Sequence, residues 1–222
     1  MNGPYLNRID GIYDQKTLKQ LLDYGVEHFS FDFRPRSFNF IPQYVFAQFL
    51  EQLNLTAALK IYMHFAGDSE FLVKKFLSDA KDSLALSPYR PPPELVLEFS
   101  DTQSASYYDH FELPYFWHLR PFMKFEDFLT GKNLQGVILS MSHLVELERK
   151  QRLEEFIAKF LQVKVQRPKL EVILSMDFAQ ELKQELVEYL DINIVSFSLD
   201  RSCEISYRRP NIPRIIEGLN KS

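Results

Sequence analysis

The sequence predicts an α/β protein folded as a (β/α)8 TIM barrel with some short or degenerate helices. Three observations carry this. Short apolar runs alternate with helix-period segments along the whole chain, which implies a parallel sheet. The alternation repeats eight times in 222 residues, near the low end of the size range for such barrels. No Gly-rich dinucleotide fingerprint follows the first strand, which leaves an open doubly wound sheet without support. A chain of this length buries one sizeable core, so residues 1–222 are expected to form a single domain.

Each element has its own signal. "NRIDGI" reads as a short strand, and "DQKTLKQLLDYG" as a helix with Asp14 as N-cap and Gly25 where it stops. "HFSFDF" alternates residue by residue, a strand signature. "IPQYVFAQFLEQL" has Val45, Phe46, Phe49, Leu50 and Leu53 at helical spacing. Strand "ALKIYMHF", helix "SEFLVKKFLSDAKDSL", a Pro-rich loop "SPYRPPP" and strand "ELVLEFS" continue the pattern. Then come a weak segment "SASYYDHFE", strand "YFWHLRP" and the short helix "FEDFLTG". Strand "GVILSMS" leads into one long charged helix, "HLVELERKQRLEEFIAKFLQ", with Glu146/Lys150 and Glu148/Arg152 at i,i+4 on a solvated face. Strand "LEVILSM", helix "AQELKQELVEYL", strand "INIVSFS" and helix "IPRIIEGLN" close the series. The barrel interior is expected to hold Ile9, Phe31, Met63, Leu97, Leu139 and Leu174.

Hydrophobic residues make up 45% and charged residues 25%, the balance of an ordinary globular protein. The net charge of −4 gives no electrostatic reason to expect nucleic acid or an anionic membrane as partner. Cys203 is the only cysteine, which excludes an intrachain disulfide and a cysteine-based metal site. No basic segment followed by an apolar run opens the chain, residue 2 is Asn rather than the glycine of myristoylation, and no apolar run nears ~18 residues. Together these predict a cytoplasmic protein, monomer or homodimer. The aromatic segment Ser106 to Phe122 reads as packing between barrel and helices.

From Arg8 to Ile41 the chain resembles the phosphoribosylanthranilate isomerase family of tryptophan biosynthesis. Arg8-Ile9-Asp10-Gly11-Ile12-Tyr13 stands where that family has Lys-Ile-Cys-Gly-Ile-Thr. Gly25-Val26 matches its Gly-Ala, Ser30-Phe31-Asp32-Phe33 its Gly-Phe-Val-Phe, and "RPRSFNFI" its Tyr-Pro-Lys-Ser-Pro-Arg-Tyr-Val. Farther on, "EVILSMD" echoes Leu-Val-Leu-Ser-Gly-Gly. The resemblance implies the barrel, an Amadori rearrangement of a phosphoribosyl amine (an aldose–ketose isomerisation), and no cofactor.

Residue by residue, the resemblance implies a changed site. Asp10 stands at the family's general base, a Cys, and Ser140 at its general acid, an Asp. Asn39 stands at the carboxylate-binding Arg, so the bidentate pair is gone. The phosphate glycines become Met176-Asp177 and Ser196-Phe197, adding bulk and negative charge where backbone N–H groups would meet phosphate. The related histidine-pathway isomerase uses an Asp at the end of its first strand as base, so Asp10 is a candidate base. Its alternative role is structural, capping the first helix or pairing with Arg34. Arg34, Arg36, Asn39, Glu98, His118 and Asp177 are candidate ligand contacts. With Asp32, His64, Arg120, Ser140, Ser175 and Ser198, most of them form a polar ring at strand ends, suited to a small polar metabolite. His64 and His118 could reach a metal with Asp10 or Glu98, but no short-range ligand spacing supports one, so no metal is expected.

Overall fold

The computed structural model describes residues 5–52, 59–86, 92–120 and 123–221. Leu53, most of the Pro-rich loop, and Pro121 and Phe122 of the aromatic segment lie outside them. The strands are β1 (Leu6–Asp10), β2 (His28–Asp32), β3 (Lys60–Phe65), β4 (Glu94–Phe99), β5 (Tyr115–His118), β6 (Leu134–Ser140), β7 (Glu171–Met176) and β8 (Ile194–Ser198). They close in sequence order into an eight-stranded barrel, with β8 pairing back to β1 and every neighbour parallel. The helices between them are α1 (Gln15–Asp23), α2 (Gln43–Gln52), α3 (Glu70–Leu86), α4 (Ala105–Asp109), α5 (Asp127–Thr130), α6 (Met141–Arg149), α7 (Leu153–Gln166), α8 (Gln184–Leu190) and α9 (Ile212–Lys221). Asp14 caps α1 as its position predicts, accepting from the Thr17 N–H, and Gly25 ends the turn with φ +97°.

The expected interior residues face the other way. Ile9, Phe31, Met63, Leu97, Leu139 and Leu174 belong to the large cluster that also holds Leu18, Leu21, Phe46, Phe49 and Phe160 of the helices. They therefore point outward, under the helix layer. A separate cluster drawn from strands alone, Tyr62, Val96, Phe116, Ile138, Ile173 and Ile194, fills the interior. The reason is physical: barrel strands are buried on both faces, so alternation separates two faces without saying which is inside. The helix-covered face takes the Phe and Leu, because it offers more area to bury.

The long charged helix is also corrected. It breaks into α6 and α7, with Gln151 at φ 56°. The Arg152 N–H bonds to the Leu147 carbonyl and the Gln151 N–H to that of Glu148, a Schellman closure built without glycine. Lys150 and Glu146 still meet, at 2.6 Å. Glu148 instead pairs with Lys183 near the start of α8, at 2.7 Å. The connection after β8 carries structure the sequence did not announce: a 3-10 turn, Arg201–Cys203, and an antiparallel pair, β9 (Glu204–Ser206) with β10 (Arg209–Pro210).

Candidate functional site

The C-terminal ends of the barrel strands carry the polar side chains of the interior. Arg8, in the middle of β1, is fully buried, with its guanidinium 4.5 Å from the centre of the Tyr62 ring. A buried cation survives only if paired. Arg8 holds Asp10 with both arms of a fork, Nε to Oδ1 at 2.6 Å and Nη2 to Oδ2 at 3.0 Å. Its remaining Nη1 lies 3.0 Å from Glu98 Oε2 across the barrel. Asp10 thus does pair with an arginine, but with Arg8 two residues back on the same strand face rather than with Arg34.

One guanidinium between two carboxylates leaves them unequal. Burial pushes the Glu98 carboxyl up, but Arg8, His64 and His118 hold it well below the usual carboxylate range. Burial also raises Asp10; Arg8 opposes this, the Glu98 charge adds to it, and the net direction is up. Asp10 is the carboxylate here readier to take a proton, and its side chain is 16% exposed toward the mouth.

Glu98 is also the meeting point of two histidines. Its Oε1 lies 2.6 Å from His118 Nε2 and 3.3 Å from His64 Nδ1, and the two imidazoles stack at 4.7 Å. Ser30 donates to Oε2 at 3.2 Å. Burial drives His64 down to about 3, against the pull of Glu98, so the ring is neutral. Its Nε2 is buried without a hydrogen-bond partner.

The loop after β2 is tied up internally. Arg34 grips Asp32 with Nε at 2.8 Å and Nη2 at 2.6 Å, and Ser37 Oγ donates to the same carboxylate at 2.5 Å. Burial would raise Asp32, but these bonds and the nearby charges keep it low. Arg36 is exposed. Asn39 Nδ2 donates to the Leu199 carbonyl at 2.6 Å, stitching the β2 and β8 loops together over Gly11. Gly11 has φ +79°, and a Cβ there would overlap the Asn39 side chain, so glycine is required on both counts.

Strands β6 to β8 offer something different. Ser140 is exposed at the start of α6 and makes no capping bond. Ser175 and Ser198 are half-buried and Ser196 is buried. Asp177 is exposed, and its backbone N–H donates to Gln180 Oε1 at 2.9 Å. Met176 and Phe197 are buried on the helix-facing side, and the Phe197 ring stacks on Phe178 at 5.0 Å. Gly218 of α9 lies against the Phe178 ring, where an added Cβ would come within 2.5 Å of it. A cleft of about 470 Å³ is lined by Met176, Phe178, Gln180, Phe197 and Gly218, among others. The 3-10 turn after β8 is capped from within: Asp200 Oδ1 accepts from the Ser202 N–H at 2.7 Å and from its hydroxyl at 2.6 Å. Burial would raise Asp200, but these bonds hold it down, and burial together with the Asp200 charge raises Asp177.

Of the candidate residues, the fold joins Asp10 to Glu98 and His118 through Arg8, and Arg34 to Asp32. Ser140, Asp177 and Arg36 stand apart from that network. Sequence reasoning missed Arg8 and Asp200. Arg8 could have been found, because it shares the strand face of Asp10; Asp200 had no signal beyond its neighbouring serine.

No family model matches the sequence, and no curated protein does either. Among solved structures the chain is similar to phosphoribosylanthranilate isomerases. That from Thermotoga maritima superposes with a TM-score of 0.68 at 10% identity, covering 98% of each chain. The Thermus thermophilus enzyme gives 0.65 at 12%, covering 97% of this chain and 98% of the other. The Pyrococcus furiosus enzyme gives 0.61 at 12%, covering 98% of each. At such identities the likeness is one of fold: this chain is a phosphoribosylanthranilate isomerase-like barrel over nearly its whole length.

Proposed function

We propose that this chain keeps the phosphoribosylanthranilate isomerase scaffold without that reaction, and that its mouth receives a different small polar metabolite. The carrying observation is that the groups at the family's substrate-binding positions are already bonded to the protein itself. Asn39 is spent on the Leu199 carbonyl, the Asp177 N–H on Gln180, and the turn after β8 on Asp200. A phosphate dianion beside Asp177 and Asp200 would meet repulsion of about 4 kcal/mol per pair of unit charges at 4 Å and an effective dielectric near 20. Ser140 cannot act as general acid near neutral pH, which removes a contribution of roughly 10²–10⁴-fold.

The raised Asp10 carboxyl favours a second reading, in which chemistry survives on another substrate with Asp10 as base. It is half of an ion pair with Arg8, so a ligand would have to draw Arg8 away or give its proton to Asp10 within the fork. Either reading suits a cytoplasmic monomer or homodimer, and among the described residues no helix is long and apolar enough to cross a membrane. Expression in a tryptophan auxotroph lacking the isomerase is the direct test. No growth is expected, and efficient rescue would overturn the proposal.

A further inference from the structure

His64, Glu98 and His118 come from the ends of three adjacent strands, β3, β4 and β5. One potential ligand atom from each lies within 4.8 Å of the other two. We propose that these three side chains bind a divalent transition ion of the zinc class at the barrel mouth. No short-range spacing announces it, because closure of the barrel brings together residues 34 and 20 positions apart.

One spacing among the ligand atoms already matches a tetrahedral site. Ligand atoms around an ion with bonds of about 2.0–2.1 Å sit roughly 3.3 Å apart. His64 Nδ1 and Glu98 Oε1 already stand at 3.3 Å, whereas the 2.6 Å between His118 Nε2 and Oε1 must open. His118 is 23% exposed and can turn toward solvent, and the buried far nitrogen of His64 has no hydrogen bond to hold that ring.

Arg8 shapes the site rather than blocking it. It occupies Glu98 Oε2 and leaves Oε1 to the two histidines, so the carboxylate is fixed as a one-oxygen ligand by an outer-shell partner. The Arg8 and Arg34 charges work against a cation, but Asp10, Asp32 and Glu98 outnumber them. Two imidazole nitrogens and one carboxylate oxygen favour zinc-class ions over the all-oxygen sites of calcium and magnesium. Three protein ligands also leave a fourth position open for water or a ligand oxygen, the pattern of reactive rather than structural zinc.

The test uses the full chain, stripped with a chelator and titrated with Zn²⁺ by calorimetry and with Co²⁺ by visible absorption. One ion per chain is expected, with the absorption of a low-symmetry four-coordinate site. His64→Ala and His118→Ala should each weaken binding by about 100-fold or more, taking the upper end for outer-shell changes as a floor. His110→Ala, at an exposed histidine, should leave it unchanged. Absence of saturable binding would overturn the proposal, as would binding by both variants as tight as that of the parent chain. Should His64→Ala fail to fold, the half-exposed His118→Ala decides alone. Neither outcome depends on turnover of phosphoribosylanthranilate, so this proposal and the preceding one fail separately.

Discussion

The two sides of the barrel mouth differ in kind. Strands β1 to β5 supply Arg8, Asp10, His64, Glu98 and His118, charged or imidazole groups bound to one another, and Asp32, which Arg34 holds. Strands β6 to β8 supply Ser140, Ser175, Ser196 and Ser198, above a layer of Ile138, Ile173 and Ile194. The charged side holds its own counter-ions, whereas the mouth-end positions of the serine side, Ser140, Met176, Asp177 and Phe197, offer a foreign anion neither a positive charge nor a glycine. A ligand spanning the mouth would therefore meet ionic groups on one flank and hydroxyls on the other. Changes on the two flanks should differ accordingly in size.

The largest effect is expected from Arg8→Met. It strands two buried carboxylates in the interior, and loss of one partner from a buried ion pair costs about 3–5 kcal/mol. Urea denaturation should show a midpoint shift of that order, with little change in slope. A shift under about 1 kcal/mol would mean that water reaches Asp10 and Glu98 freely, and that the charged flank is no more buried than the serine flank.

Next in size is Asn39→Arg, which introduces at the seam between the flanks the Arg that the sequence resemblance implies for carboxylate binding. Asn39 packs on Gly11 and bonds to the Leu199 carbonyl, so a longer side chain should overpack the site by about 1–3 kcal/mol. No affinity for an aromatic carboxylate should appear. Tight binding of anthranilate by this variant, measured by fluorescence, would show that the loop is freer than its hydrogen bonds imply.

The asymmetry reaches down the barrel to His28 at the start of β2. Burial, with Lys60 and Arg8 nearby, lowers its pKa from 6.5 to about 4, and its Nδ1 sits 3.1 Å from the Tyr62 hydroxyl. Its folded pKa is depressed, so the unfolded chain binds the extra proton. The stability this group contributes is whole above pH 6.5 and is lost as pH falls toward 4. The slope reaches at most about 1.4 kcal/mol per pH unit. His28→Gln should flatten the dependence of melting temperature on pH in that window. An unchanged slope would assign it to other groups.

The barrel and its strand order were legible because eight apolar runs are hard to arrange otherwise, and Asp14 and Gly25 mark a helix by local chemistry alone. The inside of the barrel was not legible. Phe31 and Ser30 alternate equally well with either one inside, and only helix packing decides. The Glu98 cluster was half legible: each member was named as a strand end, but which ends meet depends on barrel register. The partner of Asp10 was sought in the next loop, although a strand places its i−2 neighbour on the same face. The break at Gln151 escaped notice because a left-handed residue there is usually glycine or asparagine.

The smallest effect is expected on the serine flank, from Asp200→Ala. Asp200 closes the turn after β8 through the N–H and hydroxyl of Ser202, and removal of such a cap costs about 0.5–2 kcal/mol. The substitution also removes one negative charge from the place where the family binds phosphate, so it is the mildest way to ask whether a phosphate site lies dormant there. Asp177 remains, its N–H still bonded to Gln180, and Phe178 still stacks on Phe197. Calorimetric titration with ribose 5-phosphate should therefore give no saturable heat for either the parent chain or the variant. Saturable binding by the variant alone would mean that Asp200 is a built-in anion competing for a working site. Binding by the parent chain would mean that the serine flank accepts phosphate as it stands, and Asp10 would then face a substrate of the family's own kind.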